Sequence, residues 1–511
     1  MRVIYSDELR HDTCLTQDEN DWVYNGFDAC VTLEILNKLL GYLDPTTEAI
    51  YNQSRALQGP VLEMNMRGLR VDKAQRKHVL DGFRFEIKFI TDQLNRIIGE
   101  ALGLKINWSS PAQVKHLFYD VFQLKPVRKR NAHGLFMPTV NREALEKLST
   151  YLVAEPFCLR LLLLRDLEKK RQFLETEIDP DGRIRTSINL AGTDTGRFSS
   201  KFSDMGTGTN LQNVDRSLRS VFIPDEGMAF VNYDLEQADS RNVGANCWQW
   251  FYESHGPEYA GAYLDACESA DLHTTVCKLA WAEFEWTDDI KANRAIADRI
   301  FYRQDSYRQT AKKLGHGTNY YGQAPQMALQ TKIDRNIVGV FQDKYFKAFP
   351  CIKSGHEYVK RMLRETSTLT TLHGRRRTFW GRANDEATVR KAIAFMGQSP
   401  TADEMNKGLL NLFRTQKFQL LIQVHDSILA QVPEDDLDKL VPLGASSLRV
   451  PITLAGGREF FVPVEAKVGW NWGDRNEKKD GSVDNELGLT KWKGSDYRRA
   501  PSARSLKALL M

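Results

Sequence analysis

The stretch RQTAKKLGHGTNYYG, residues 308–322, sets Arg308, Lys312, His316 and Tyr320 at strict four-residue steps. On an α-helix, positions four apart share a face, so the spacing predicts a row of two cations followed by two flat rings. At ~1.5 Å per residue the row rises about 18 Å, on the order of an extended nucleoside triphosphate. Guanidinium and ammonium groups suit phosphate oxygens, and the rings offer faces for a sugar and a base. The same spacing also describes a solvated amphipathic helix with its basic residues outward, and the segment by itself does not choose between the two.

Two aspartates widen the choice of chemistry. Asp234 follows the apolar run Phe230-Val231-Asn232-Tyr233, and Asp426 follows Leu420 to His425. Either one alone caps a helix or shapes a turn as readily as it serves a site. Both together, with the basic helix between them in sequence, suit phosphoryl transfer by two Mg²⁺ ions about 3.5–4 Å apart, which needs at least two carboxylates converging from rigid elements. Two strand ends in one sheet would supply that rigidity.

The elements around these residues follow from periodicity. Residues 46–170 read as mostly helical, with apolar residues at three- and four-residue spacing in ALQGPVLEMNMRGL, QVKHLFYDVFQL and EPFCLRLLLLRDLEKKRQFLE. A basic loop, KPVRKRNAHG, interrupts them. Short strands and turns are expected over 182–240, with a strand at 227–234, then helices over 245–350 and 385–415. FQLLIQVHDSILAQV, 418–432, reads as a hairpin with Asp426 near its turn. Residues 474–505 look like a polar, partly disordered tail.

At 511 residues the chain can form several domains. Its 42% hydrophobic and 27% charged content excludes a disordered chain, and no apolar run approaches the ~20 residues of a membrane helix. A soluble protein with no membrane partner is expected. The N-terminus shows no export or organelle signal, so the cytoplasm, or a host's cytoplasm, is the expected location. Seven scattered cysteines (Cys14, Cys30, Cys158, Cys247, Cys267, Cys277 and Cys351) contain no C-x-x-C pair and read as reduced, mostly structural thiols. The net charge of +4 is small, but basic residues cluster at Arg128-Lys129-Arg130, at Arg375-Arg376-Arg377 and in a tail holding Lys491, Lys493, Arg498, Arg499, Arg504 and Lys507. Such patches can track a phosphate backbone.

Ordered motifs now carry a resemblance. From about residue 20 to 473 the chain resembles family A DNA polymerases, the bacterial DNA polymerase I type, and especially phage members. Asp234-Leu235-Glu236-Gln237-Ala238-Asp239-Ser240-Arg241 is similar to that family's first palm motif, D-Y-S-Q-I-E-L-R. Arg308, Lys312, His316 and Tyr320 fall on its fingers motif, R-x-x-x-K-x-x-x-F/Y-x-x-x-Y-G, and Val424-His425-Asp426-Ser427 resembles its V-H-D-E. Thr193 to Ser200 and Asn210 to Asn213 resemble T-x-T-G-R-L-S-S and N-L-Q-N. Asp271-Leu272-His273-Thr274 matches D-I-H-T. Arg390, Gln398 and Asp403 keep the spacing of the helix before the last motif. Asn107, Ser110 and Pro111 resemble a thumb element, and VEAKVGWNWG resembles the closing strand.

The resemblance implies an α+β, right-hand polymerase: an antiparallel palm sheet with helical fingers and thumb. It implies DNA-templated addition of deoxynucleotides to a primer 3′ end, with two Mg²⁺ ions as cofactors and Mn²⁺ as a substitute. Asp234, Asp426 and the Leu235 carbonyl would hold the metals, and Lys312 would assist catalysis. Arg308, Lys312, His316, Tyr320, Gln237, Asp239 and His425 would meet the nucleotide. Arg197, Asn213, Arg390, Gln398, Arg375 and Arg241 would contact DNA. The expected divisions are 1–45 as the end of an exonuclease domain, 46–73 leading into the palm, 74–170 thumb, 171–245 palm, 246–385 fingers, 386–473 palm and 474–511 a polar basic tail.

Several positions depart from the family pattern. Asp239 stands where Glu usually blocks a ribose 2′-hydroxyl, and His316 where Phe or Tyr is usual. Tyr320-Tyr321-Gly322 carries one residue more than Y-G, leaving the base-stacking role to either Tyr. Ala394 replaces an Asn and Ser427 a Glu. Tyr24 and Asp28 resemble the last motif of a 3′–5′ exonuclease, Y-x-x-x-D. Because only 23 residues precede Tyr24, the upstream carboxylates of such a site are missing, and no exonuclease activity is expected from this chain alone. A separately encoded exonuclease or a processivity factor then joins primer-template DNA and deoxynucleoside triphosphates among candidate partners. A single-subunit RNA polymerase shares this palm but is disfavoured by the carboxylate at 239. A non-catalytic DNA-binding replication protein derived from a polymerase has no need of Asp234, Asp426, Arg308 and Lys312 together.

Overall fold

The computed structural model describes residues 16–131, 134–204, 207–269, 271–302, 305–478 and 481–494. Seven helices matter below: α1 (Gln17–Leu40), α2 (Lys73–Leu102), α3 (Glu155–Leu174), α4 (Ala238–His255), α5 (Leu272–Ala280), α6 (Tyr307–Asn319) and α7 (Glu386–Arg414). Five strands build the main sheet: β1 (Met228–Leu235), β2 (Gln419–Val424), β3 (Ser427–Pro433), β4 (Val464–Gly469) and β5 (Thr490–Lys491). No described helix is long and apolar enough to cross a membrane. The chain divides into two compact units.

One unit comprises Gln58–Ala238, Glu404–Thr453 and Glu459–Met511. Its sheet is antiparallel throughout, in the order β2-β3-β1-β4-β5. The expected hairpin is β2-β3, closing at Val424↔Ser427. Side chains alternate across a strand, so Phe230 turns one way with Leu429, Ile422 and Val424, into a core shared with Leu69, Leu211, Phe222 and Trp472. Each fully buried large side chain there stabilises the fold by roughly 1.5–3 kcal/mol. A separate helical core joins Leu94 and Ile98 of α2 to Leu161 and Leu164 of α3, with Trp108, Phe118 and Leu145. Asp72 caps the start of α2 by accepting from the Ala74 and Gln75 amides, and Gly103, at φ 65°, ends it in the left-handed conformation.

Two expectations in this unit are corrected. The basic loop at 125–134 contains an antiparallel pair, Arg128–Arg130 with Phe136–Pro138, because strand-compatible residues flank the turn. The stretch after 474 is no simple polar tail. Apolar residues punctuate it, Leu489 is buried, and Thr490–Lys491 pairs with Lys467 and Val468 as the fifth strand of the sheet. Arg498, Arg499, Arg504 and Lys507 lie outside the described residues.

The other unit comprises Met1–Leu57, Asp239–Asp403 and Leu454–Arg458. Ser306 caps α6 in a reciprocal box with Gln309. Thr310, Ala311, Leu314, Gly315 and Thr318 form the buried face of α6, which leaves the Arg308, Lys312 and His316 positions on the other side. A core of Val359, Leu363, Leu369 and Phe379 takes in Val389, Ile393 and Phe395 of α7. The first half of α7, expected with the palm from residue 386, therefore packs with this unit as far as Asp403.

Candidate functional site

Asp234 lies on the central strand of the sheet, in register with Ser427 on one side and Glu465 on the other. The Leu235 amide donates to the Asp426 carbonyl at 2.9 Å, fixing the two aspartates at neighbouring strand ends. Burial, then the Asp426 charge, pushes the Asp234 carboxyl up to about 7, with Lys467 and Arg216 pulling the other way. Two carboxylates forced together at the edge of a core are a strong attractor for a divalent cation. Their hard oxygens suit Mg²⁺, which takes one or two carboxylates and completes its shell with water and phosphate. Among the described residues no group of three or more His, Cys, Asp or Glu side chains converges to hold a metal, so carbonyls such as that of Leu235, water and substrate would supply the remaining ligands.

The aspartates are bracketed by two non-glycine residues in the left-handed region, Gln237 at φ 54° and His425 at φ 55°. That conformation is uncommon for such residues and gathers at functional sites. The His425 carbonyl accepts from Gln423 Nε2, while the Gln423 carbonyl accepts from Gln212 Nε2 at 3.0 Å. Buried Gln237 Oε1 has no hydrogen-bond partner among the described residues. Nothing in the sequence pattern signals this pair of strained residues.

In the other unit the predicted row is real as far as Asn319, where α6 ends; Tyr320 is its C-cap. His316 and Tyr320 touch, ring centroids 4.7 Å apart. Tyr321 leaves the row at φ 61° and packs edge-on to His356 under Lys360, so Tyr320 alone continues the line of His316. Gly397 makes room for it: a Cβ there would stand 2.7 Å from the Tyr320 hydroxyl oxygen. Lys312 is exposed. Arg308 donates through Nε and Nη2 to Asp271, at 3.1 and 3.0 Å. Burial opposes the Asp271 charge, but hydrogen bonds from Arg308 and Thr274 outweigh it and hold the carboxyl down to about 2. Beside them, burial and the charges of Arg308 and Lys312 lower His273 to about 4, so it is a neutral imidazole at pH 7.

With both halves of the chemistry located, the comparison with known proteins is direct. The profile described as "DNA polymerase family A" matches residues 77–247 and 279–474, more than half of the chain. The chain belongs to DNA polymerase family A. It is 26% identical over 440 residues to the thermostable DNA polymerase I of Thermus filiformis, covering 81% of this chain and 47% of that protein. DNA polymerase I of Chloroflexus aurantiacus is 27% identical over 484 residues, covering 88% and 46%. The chain thus spans about half the length of these curated relatives. A solved structure of the POL domain of Pol1 from M. smegmatis, in complex with DNA primer-template and dNTP, superposes with a TM-score of 0.64 at 23% identity, over 82% of this chain and 69% of that one. The α+β fold expected from the sequence is the fold of that domain.

The remaining family A positions divide into available and occupied groups. The two secondary motifs are stitched together: Ser200 Oγ donates to Asn210 Oδ1 at 2.6 Å, and Asn210 Nδ2 to the Ser200 carbonyl at 2.7 Å. Asn406 Nδ2 holds the Gly196 carbonyl at 3.2 Å, next to half-buried Arg197. Asn213 and Arg390 are exposed and Gln398 is half-buried. Two positions expected to meet DNA are already engaged by the protein. Arg241 is buried, close enough to Cys267 for its charge to act on that thiol. Arg375 is engaged by the buried carboxylate of Asp403, at 2.6 Å from Nη2 and 2.9 Å from Nε, since a buried carboxylate needs a paired cation. Asp239 accepts from Thr401 Oγ1 at 2.9 Å, which fixes the orientation of its carboxylate. Tyr24 and Asp28 both lie on α1, with Asp28 exposed.

Proposed function

We propose that this chain is a DNA-templated DNA polymerase that extends a primer 3′ end with deoxynucleotides by two-metal phosphoryl transfer. The observation that carries the proposal is the pairing of Asp234 and Asp426 at adjacent strand ends, where burial first and the Asp426 charge second raise the Asp234 carboxyl to about 7. Such a pair has no packing purpose and is stabilised by cations. Asp234, Asp426 and the Leu235 carbonyl hold Mg²⁺, with Mn²⁺ as a substitute of the same donor preference. Held there, such ions would supply the charge that acidifies the primer 3′-hydroxyl and neutralises the departing pyrophosphate.

The chain's own groups do the rest by positioning and electrostatics. Lys312 and Arg308 bind the triphosphate, Lys312 stabilising charge as it builds on the leaving group. His316 and Tyr320 present their rings to the sugar and the base, and Asp239 limits access of a 2′-hydroxyl. Gln237 and His425, held in strained backbone beside the aspartates, line the nucleotide, and Arg197, Asn213, Arg390 and Gln398 meet the primer-template. The resemblance to phage members extends the proposal to replication of a phage genome. We also propose that this chain alone does not shorten 3′ ends, because Tyr24 and Asp28 resemble only the last motif of such a nuclease.

Extension of a labelled primer on a DNA template, with Mg²⁺ and deoxy- or ribonucleotides, tests the reading. Deoxynucleotide extension abolished by Asp426→Ala, with primer-template binding retained, is the expected result. Extension at wild-type rate by that variant refutes the site.

A further inference from the structure

Strand β5 belongs to the part of the chain beyond residue 474, where the family profile ends. It nonetheless joins the catalytic sheet, through Lys467↔Lys491 and Val468↔Thr490 and a bond from the Trp492 amide to the Ala466 carbonyl at 2.8 Å. Upstream of it, the Trp470 amide donates to the Leu487 carbonyl at 2.7 Å and the Leu489 amide to the Gly473 carbonyl at 2.7 Å. The strand is thereby locked back against β4.

What β5 delivers is a charge. Lys491 Nζ lies 2.8 Å from Glu465 Oε2 and 3.9 Å from Glu236 Oε1. Glu465 is the residue directly across from Asp234 in β4, and directly opposed residues carry their side chains to the same side of a sheet. A third carboxylate therefore stands beside the Asp234–Asp426 pair, on the flank opposite Ser427, which replaces the acid usual in that motif. Lys467 approaches the same carboxylate from 3.9 Å and is itself drawn to Asp474 at 3.4 Å. The closest cation on Glu465 is Lys491.

We propose that Lys491 is a positioning residue for the metal centre: by pairing with Glu465 it keeps that carboxylate off the metals and holds the centre to two acidic ligands. The inference rests on the metal-dependent polymerase reading above. Without the pair, Glu465 keeps only the more distant Lys467, at 3.9 Å, and is freer to turn toward a bound cation. Two carboxylates leave coordination sites for the 3′-hydroxyl and the phosphates, whereas a third ligand would occupy one of them.

Mn²⁺ titration of the full chain without DNA or nucleotide, followed by electron paramagnetic resonance of the free ion, reads the effect without catalysis. Lys491→Met should tighten Mn²⁺ binding roughly twofold to fivefold, the range of a half-exposed ion pair, and should lower the Mg²⁺ needed for half-maximal extension. Lys491→Arg should restore wild-type values. In a Glu465→Gln background the same Lys491→Met change should have little effect, because its route is gone. Unchanged Mn²⁺ affinity in Lys491→Met, or an equal change with and without Glu465, overturns the proposal. Should Lys491→Met fail to fold, Glu465→Gln decides alone: it should keep most Mn²⁺ binding, and a loss as large as that of Asp234→Asn shows that Glu465 already ligates the metal. If Asp234→Asn itself leaves Mn²⁺ binding intact, the parent reading of the centre fails instead.

Discussion

Replacing Asp234 with Asn should abolish extension and yet make the metal-free protein more stable at alkaline pH. The carboxyl of Asp234 titrates at about 7 in the fold, whereas an unperturbed Asp has a pKa of about 3.9. The native state thus binds the proton more tightly than the unfolded chain. Stability then falls as pH rises between these two values and stays low above them. A shift of roughly 3 units at 1.36 kcal/mol each gives ~4 kcal/mol as an upper bound. Asp234 is partly solvent-accessible, so screening reduces this to on the order of 2 kcal/mol. Asn keeps the shape and cannot ionise, so it escapes the penalty.

Thermal melts in EDTA should show Asp234→Asn several degrees above wild type at pH 8, as about 2 kcal/mol implies for a unit of this size. At pH 5 the gain should be smaller, and at pH 3 it should vanish. Mg²⁺ should raise the wild-type midpoint and leave the variant nearly unmoved. A variant no more stable than wild type at pH 8, or a gain independent of pH, would refute the claim that the two aspartates strain the fold for the sake of a cation.

Three further outcomes follow from the row on α6. Lys312→Ala should lower kcat/KM for all four deoxynucleotides alike, by roughly 1.5–3 kcal/mol, with no change in melting because Lys312 is exposed; a base-dependent loss would place it away from the phosphates. His316→Tyr should change the choice among deoxy-, dideoxy- and ribonucleotides in single-turnover incorporation while base selection stays intact, and the reverse pattern would show the register to be wrong. Gly397→Ala should displace the Tyr320 ring, since the new methyl would stand 2.7 Å from its hydroxyl. Weaker nucleotide binding with a melting temperature close to wild type is expected, because helix propensity gains about 1 kcal/mol while the side-chain end can swing away; unaltered incorporation would show that Tyr320 does not meet the nucleotide.

The chemistry-bearing core was legible because local rules and global fold agree there. FQLLIQVHDSILAQV can bury its two apolar runs only as paired strands, and that pairing puts Asp426 at the turn. Four-residue spacing likewise fixed one face of α6. Long-range charge pairing was not legible: Asp403 lies 28 residues from Arg375, and Asp271 lies 37 from Arg308, and no periodicity links such partners. The burial of Arg241 was illegible for a related reason, since a charged residue in a helix says little about whether its face is buried. The polar stretch after 474 hid a strand because only two residues of it enter the sheet, far fewer than a pattern needs to be seen. The left-handed Gln237 and His425 were invisible because residue type alone does not mark which non-glycine positions take that conformation.

If Arg308 meets phosphate as proposed, the grip of Asp271 on it makes that end of the row an ion exchanger. The Nε–Nη2 edge of the guanidinium is already engaged by a carboxylate, so an anion arriving at that edge trades places with a tenant. A singly charged anion exchanges like for like and has no advantage. A triphosphate brings several charges and reaches Lys312 as well, so the swap selects by valence, which a vacant cradle would do less sharply. The evicted carboxylate is not stranded: the amides of His273 and Thr274 at the start of α5 and the guanidinium of Arg294 at 3.1 Å continue to hold it. On that reading Asp271 would act as a built-in competitor that raises the threshold for anions at Arg308.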